Sequence, residues 1–455
     1  MHPYIINIPY RHNFILDLFA SIAHKPWSML LHSGHSDHPD SRFDILVTSP
    51  HVTITSKNGI TRIKHKNKYQ INSNHDPFKI LQQQINYANI KTKENDNLPF
   101  QGGLIGVFGY DLIRYLKKLP TIAKRDLNLP DMAIGLYRWT IITDHHLYVT
   151  TLISHDNPKK ILSWINQNKI FTKNQKFCLK SPWLTNMNPI KYKKKFKTIQ
   201  KYLQNGDCYQ ICLAQRFCAS YTGNEWIAFR HLLNQNRSPF SAFIRLTHHT
   251  ISCLSPERFI RLKGTKIDTK PIKGTISRNK NINIDQKQLI RLITSQKDKS
   301  ENLMIVDLLR NDIGQIAIPG SVRVPKLFTI ESFPAVHHMV STITGILPNN
   351  LFASDILRAC FPGGSITGAP KISAMRIIDM LEPHRRNVWC GSIAYLSCCG
   401  NMDSNILIRS LITEKQKIFC SVGSAIVIDS DEHLEYQEML DKVSTIIFPL
   451  KYPIY

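Results

Sequence analysis

Apolar residues in this chain come in short bursts, and that spacing limits what the chain can fold into. Runs such as Phe43–Thr48, His51–Ser56, Leu104–Tyr110 and Leu147–Leu152 are six or seven residues long, the length of a strand. The longest apolar stretches, Phe14–Ala23 and Ile446–Leu450, are too short or too interrupted to span a bilayer, which takes about 20 residues. The strand-like runs follow one another instead of alternating strictly with helices, which is an α+β pattern. No internal repeat of about 20–50 residues is visible, so solenoids and propellers are excluded.

The Lys180–Pro189 segment, with Pro182 and Pro189, marks the best boundary, giving an N-terminal region 1–185 and a region 186–455. Just beyond it, Tyr192, Phe196, Ile199 and Leu203 recur at i, i+4, i+7 and i+11, one apolar face of a helix. Further strands are expected at Cys208–Phe217, Ser241–Arg245, Thr250–Leu254 and Lys266–Thr269, and a helix at Lys371–Leu381.

The net charge is +25. A basic surface can release counterions from a polyanion, but lysines are spread through every segment, as in Lys191–Lys197, and form no shaped patch. The reading is therefore no nucleic acid and no membrane. All ten cysteines lie from Cys178 onward, which is no secreted disulfide framework. Cys208 and Cys212 have no second pair at zinc spacing, and adjacent Cys398 and Cys399 would point to opposite faces of a strand. The first residues carry no Lys/Arg run, and Asp17 interrupts their apolar stretch, so a cytoplasmic protein is expected.

Two glycine clusters invite a nucleotide-binding reading and fail it. Gly102, Gly103, Gly106 and Gly109 lack the G-x-G-x-x-G spacing. Gly363–Lys371 (GGSITGAPK) departs from a P-loop because Ala369 and Pro370 stand between the last glycine and the lysine. Its backbone N–H groups would still suit an anion. Asp298 and Glu301, and again Glu435 and Glu438, stand three apart on expected helices. Each pair shares one helix face and could hold a hard divalent cation, or pair with neighbouring lysines such as Lys297, Lys299 and Lys442 at the surface. Lys273, in Pro271-Ile272-Lys273-Gly274-Thr275, is expected in a tight turn.

Five motifs occur in order: Pro271–Thr275, Glu301–Gly314 (ENLMIVDLLRNDIG), Phe361–Met375 (FPGGSITGAPKISAM), Gly400–Arg409 (GNMDSNILIR) and Glu435–Lys442 (EYQEMLDK). Together they resemble the chorismate-utilising family that includes the anthranilate synthase large components, and the likeness spans essentially the whole chain. The PIKGT form resembles the aminodeoxychorismate synthase branch, where anthranilate synthases carry PIAGT. The resemblance implies one large unit with two β-rich layers flanked by helices. It also implies a role for Lys273 as a nucleophile on C2 of chorismate, expelled when ammonia attacks C4.

Further roles are implied position by position. Glu257 would act as proton donor to the departing C4 hydroxyl, with Thr275 near that hydroxyl and His338 in the active site. Ser365, Tyr395, Arg409, Gly423 and Lys442 would contact substrate, Tyr395 and Arg409 at the enolpyruvyl carboxylate. Glu301 and Glu438 would bind Mg2+ directly, with Asp298 and Glu435 acting through water. Ser33, Pro239, Phe240 and Ser241 would line a tryptophan pocket. The partner implied is a separate glutamine amidotransferase subunit in a heterodimer, supplying ammonia. Two positions depart from the family pattern: Val422-Gly423-Ser424-Ala425, where a Gly-rich loop is usual, and Cys212, where Asn is usual. An anthranilate synthase, a noncatalytic scaffold for the glutaminase and a basic nucleic-acid binder are the competing readings.

Overall fold

Strands buried on both faces at the centre, such as Gly103–Phe108, Met132–Tyr137 and Ser392–Ser397, build two antiparallel sheets, one of 13 strands and one of 12, among the described residues. These are residues 2–454 except 35–37, 67, 93–94, 96, 168–175, 280 and 333–335, in a computed structural model. The longest strand, Gln210–Gly223, pairs with Lys417–Ile426 from Ile211 to Ser220. The N-terminal region is hydrogen-bonded into both sheets. Met29–His32 pairs with Phe240–Arg245, and Gly103–Phe108 pairs with Ser392–Ser397. The stretches on either side of residue 185 therefore share their ladders.

One apolar core joins the inner faces of the two sheets, through residues such as Ile45, Ala242 and Ile244 on one and Ile54, Leu104 and Ile134 on the other. A second lies between the 13-stranded sheet and helices that include Phe14–Ala20, Pro189–Gln204, Glu225–Asn236 and Glu432–Ile447. The Pro189–Gln204 helix follows the expected periodicity. Pro189 sits in its first turn, the Asn188 side chain accepts from the Lys191 N–H, and Tyr192, Phe196, Ile199 and Leu203 are its buried residues. Lys371–Leu381 is a helix as expected. The Cys398–Cys399 expectation fails, because both residues lie in the turn that follows Ser392–Ser397. All ten cysteines are free thiols. No helix among the described residues is long and apolar enough to cross a membrane.

Phe243 shows how tightly the second core is filled. It is fully buried, with ring centroids of Trp226 at 5.2 Å, Phe229 at 5.4 Å and Phe19 at 5.8 Å. Phe243→Ala is expected to cost about 3–5 kcal/mol, read as a lower urea midpoint at unchanged m-value.

Candidate active site

A cavity of about 410 Å³ opens where the Ile272–Ser277 and Lys417–Ile426 strands meet the helices Gln296–Gly314 and Glu432–Ile447. Lys273 lies on its wall, on a bulged strand and not in the expected turn. The pairing of Ile272–Ser277 with Val336–Ile346 slips between Ile272 and Thr275. Gly274 permits this at φ +80°, and a Cβ there would come within 3.1 Å of the Asp298 side chain. The glycine thus lets the start of the Gln296–Gly314 helix pack directly on the lysine's strand. The Lys273 ammonium acts electrostatically on Glu257, Glu301, Glu438 and Cys212, which surround it.

Burial pushes the Glu257 carboxyl up to about 7, against the opposing pull of a hydrogen bond from Ser365 and the charges of Lys273 and Lys442. Near neutral pH it can therefore give or take a proton. Thr275 and His338 face each other across the ladder, with Thr275 Oγ1 2.7 Å from His338 Nδ1. Burial, helped by the Arg409 charge, holds the His338 imidazole down to about 3, so it is neutral. Arg409 takes a left-handed backbone at φ +48°, strain of roughly 1–3 kcal/mol for a non-glycine residue. Burial lowers its guanidinium, with no carboxylate among the described residues acting to raise it. A largely buried cation facing this cavity is suited to an anionic ligand.

All four carboxylates of the paired acids line this cavity. Lys297 Nζ stands 3.2 Å from Glu435 Oε1 and 3.8 Å from Glu301 Oε1, and Lys442 pairs with Glu438. Both lysine pairings anticipated as the surface alternative occur, at the open mouth of the cavity, where Lys297 is 49%, Lys442 41% and Glu438 50% exposed. Glu435 is buried; its Oε1 accepts from Ser430 Oγ at 2.8 Å, while its Oε2 has no partner. That orphaned oxygen in an all-carboxylate set fits a hard divalent cation. Among the described residues, no three His, Cys, Asp or Glu side chains stand close enough together to hold a metal ion, so the four carboxylates would have to draw in around one.

A buried ion pair holds the floor. Arg386 donates to Glu382 at 2.6 and 3.0 Å, to the Cys212 carbonyl at 2.7 Å and to the Ile366 carbonyl at 2.8 Å. Glu382 accepts from the Ala214 N–H at 3.0 Å. The guanidinium lies over the rings of Tyr110 and Trp389.

Ser365, Arg409, Gly423 and Lys442 line the cavity as the resemblance implied. Tyr395 does not. It lies on Ser392–Ser397 and faces a second cavity of about 310 Å³ with Pro239, Phe240, Ser241 and Arg258. Strand parity decides this, and the aromatic wall of the first cavity is Trp389 instead. Ser33 is buried just past the end of the interior strand Met29–His32, its N–H and hydroxyl both donating to Asp44 at 2.8 and 2.9 Å, and is not among the residues lining that second cavity. Glu257 and Arg258, consecutive in the chain, thus serve different cavities.

The Gly423–Ala425 stretch is part of a strand and not a loop. Gly423 is needed there, since a Cβ would meet the Leu213 carbonyl at 2.9 Å. Ala425 is the direct register partner of Cys212, whose thiol points to the Ser365 carbonyl at 3.5 Å. Sequence reasoning missed Trp389, Cys390, Lys297 and Ile408 as lining residues. Only Lys297 carried a signal, through its i, i+4 spacing to Glu301.

The family model for chorismate binding enzymes matches residues 36–448. The chain is 51% identical over 451 residues to aminodeoxychorismate synthase component 1 of Escherichia coli (strain K12), covering 99% of each. It is 31% identical to the protein of that name from Bacillus subtilis (strain 168), covering 96% of this chain and 94% of that one. Anthranilate synthase component I from Streptococcus pneumoniae TIGR4 superposes with TM-score 0.78 at 31% identity, covering 90% of this chain and 93% of that one. The menaquinone-specific isochorismate synthase MenF of Escherichia coli shares the fold, with TM-score 0.72 at 16% identity over 98% of this chain and 94% of that one. By its sequence, its two-sheet fold and the cavity they build, the chain belongs to the chorismate binding enzyme family.

Proposed function

We propose that the chain is the synthase subunit of an aminodeoxychorismate synthase, turning chorismate and ammonia into 4-amino-4-deoxychorismate. The observation that carries this reading is Lys273 on the wall of the cavity, ringed by Glu257, Glu301 and Glu438, in a chain half-identical to synthases of that name.

Lys273 first gives one ammonium proton to solvent; its freed amine then attacks C2 of chorismate, the ring double bonds shift, and the C4–O bond breaks. The Glu257 carboxyl gives its proton to the departing hydroxyl, which leaves as water. Ammonia then forms the C4–N bond, the double bonds shift back, and the secondary ammonium at C2 leaves as the neutral lysine amine. The carboxylate of Glu257 takes the surplus proton from the incoming nitrogen. The enolpyruvyl group stays attached, its carboxylate met by Arg409. His338, neutral and bonded to Thr275, orients that hydroxyl toward C4. Asp298, Glu301, Glu435 and Glu438 would hold Mg2+. Bound there, the cation supplies charge neutralisation for the ring carboxylate. Ammonia is scarce and protonated at neutral pH, so a glutamine-hydrolysing partner subunit completes the enzyme, in keeping with the "component 1" of its relatives' names.

The second cavity, with Phe240 and Tyr395 beside the buried Arg258, supports tryptophan as its occupant. Calorimetry of the full chain with tryptophan should give saturable heat, and its absence would remove this part of the reading. For the reaction, the purified chain with chorismate, Mg2+ and an ammonium salt should yield aminodeoxychorismate on chromatography, lost in Lys273→Ala. Anthranilate with pyruvate as products would instead move the chain to the neighbouring branch. Burial raises the Glu257 carboxyl, whose protonated form is the donor, while Lys273 must lose a proton to attack, so kcat/KM at fixed free ammonia should rise with pH below about 7 and level into a flat limb above it. Glu257→Gln should lose roughly 10²–10⁴ in rate and abolish that limb of the profile.

A further inference from the structure

The place of Lys297 has a use beyond a surface charge pair. It sits one turn before Glu301 on the Gln296–Gly314 helix and reaches across to the Glu432–Ile447 helix. Its ammonium lies 3.2 Å from Glu435 Oε1 and 3.8 Å from Glu301 Oε1, bridging two of the four carboxylates named above for a divalent cation. The two ends of the bridge differ in freedom. The Glu435 side chain is 2% exposed and has no way out, whereas Lys297 is 49% exposed and can swing into solvent. The Glu435 oxygen that the lysine does not reach is the one left without a partner.

We propose that Lys297 is a built-in counter-cation that holds the two helices' carboxylates together before the metal arrives and competes with it for them. Two facing carboxylates without a cation would repel, and a neutral bridge could not offset that repulsion. A tethered ammonium on a flexible stem supplies the charge and yields it, because a half-exposed ion pair is weak. Lys297 is thus a positioning residue. It keeps the metal-free cavity assembled and lowers its affinity for the cation.

This rests on the reading that the carboxylates take Mg2+, and the experiment separates the two. Mg2+ is titrated calorimetrically into the full chain and into Lys297→Met and Lys297→Arg, with and without chorismate. Thermal melts are run in chelator and at saturating Mg2+. Lys297→Met should bind Mg2+ roughly three- to tenfold tighter than wild type, while Lys297→Arg, which keeps the charge, stays near wild type. Lys297→Met should melt lower than wild type in chelator, with the gap closing in Mg2+. A lysine that only supports the helix would lower melting under both conditions and leave affinity unchanged. Equal or weaker Mg2+ binding by Lys297→Met, with wild type binding, overturns the inference alone. No Mg2+ binding by any of the proteins, with or without chorismate, overturns the metal reading and the inference with it.

Discussion

A guanidinium buried against one carboxylate and two backbone carbonyls must keep every partner, because each one lost leaves a charge or a donor with no water to replace it. Arg386 is in this position, and its partners come from three separate parts of the chain: Glu382, Cys212 and Ile366. Breaking such a pair from one side costs about 3–5 kcal/mol. The Gln210–Gly223 strand, the turn that carries Ser365 and the end of the Lys371–Leu381 helix are tied together by this side chain, alongside backbone hydrogen bonds such as that from the Cys212 N–H to the Thr367 carbonyl. Trp389, stacked beneath it, takes its position as cavity wall from the same contact. The reacting groups can be placed closely because the floor under them cannot shift piecemeal.

Charge is crowded in this cavity. Six carboxylates, Glu257, Asp298, Glu301, Glu435, Glu438 and Asp441, line it with Lys273, Lys297, Lys442 and Arg409. Burial raises Glu257 and Glu301, while Lys442 outweighs burial at Glu438 and lowers it. Carboxylates so similar in sequence are thereby given different proton affinities by depth and neighbours alone. The same depth that readies Glu257 to hold a proton keeps His338 from acquiring one.

What could be read from the sequence was whatever local spacing decides. The Pro189–Gln204 and Lys371–Leu381 helices and most strands fell within a residue or two of expectation, because period and capping are local properties. The motifs brought Lys273, Glu257, Thr275, His338 and the four acids to one cavity. What the motifs did not convey depended on register. Tyr395 lies on the side of its strand that faces the other cavity, and a motif does not encode which face a ladder turns inward. Lys273 was expected in a turn, because a Pro and a Gly flank it, whereas the structure absorbs the Gly as a bulge. Trp389 left no trace, since its role comes from packing against Arg386 across the fold.

Ala425 and Cys212, two of the three residues that depart from the family pattern, are more than 200 positions apart in sequence yet directly opposite on paired strands. They are one local solution written in two places. A methyl group on one strand and a thiol aimed at the Ser365 carbonyl on the other share one patch of cavity wall. Restoring Asn at 212 alone would set a longer side chain against the Ala425 methyl, and restoring Gly at 425 alone would remove the methyl opposite the Cys212 thiol. A library that randomises the two positions separately would sample mostly mismatched walls.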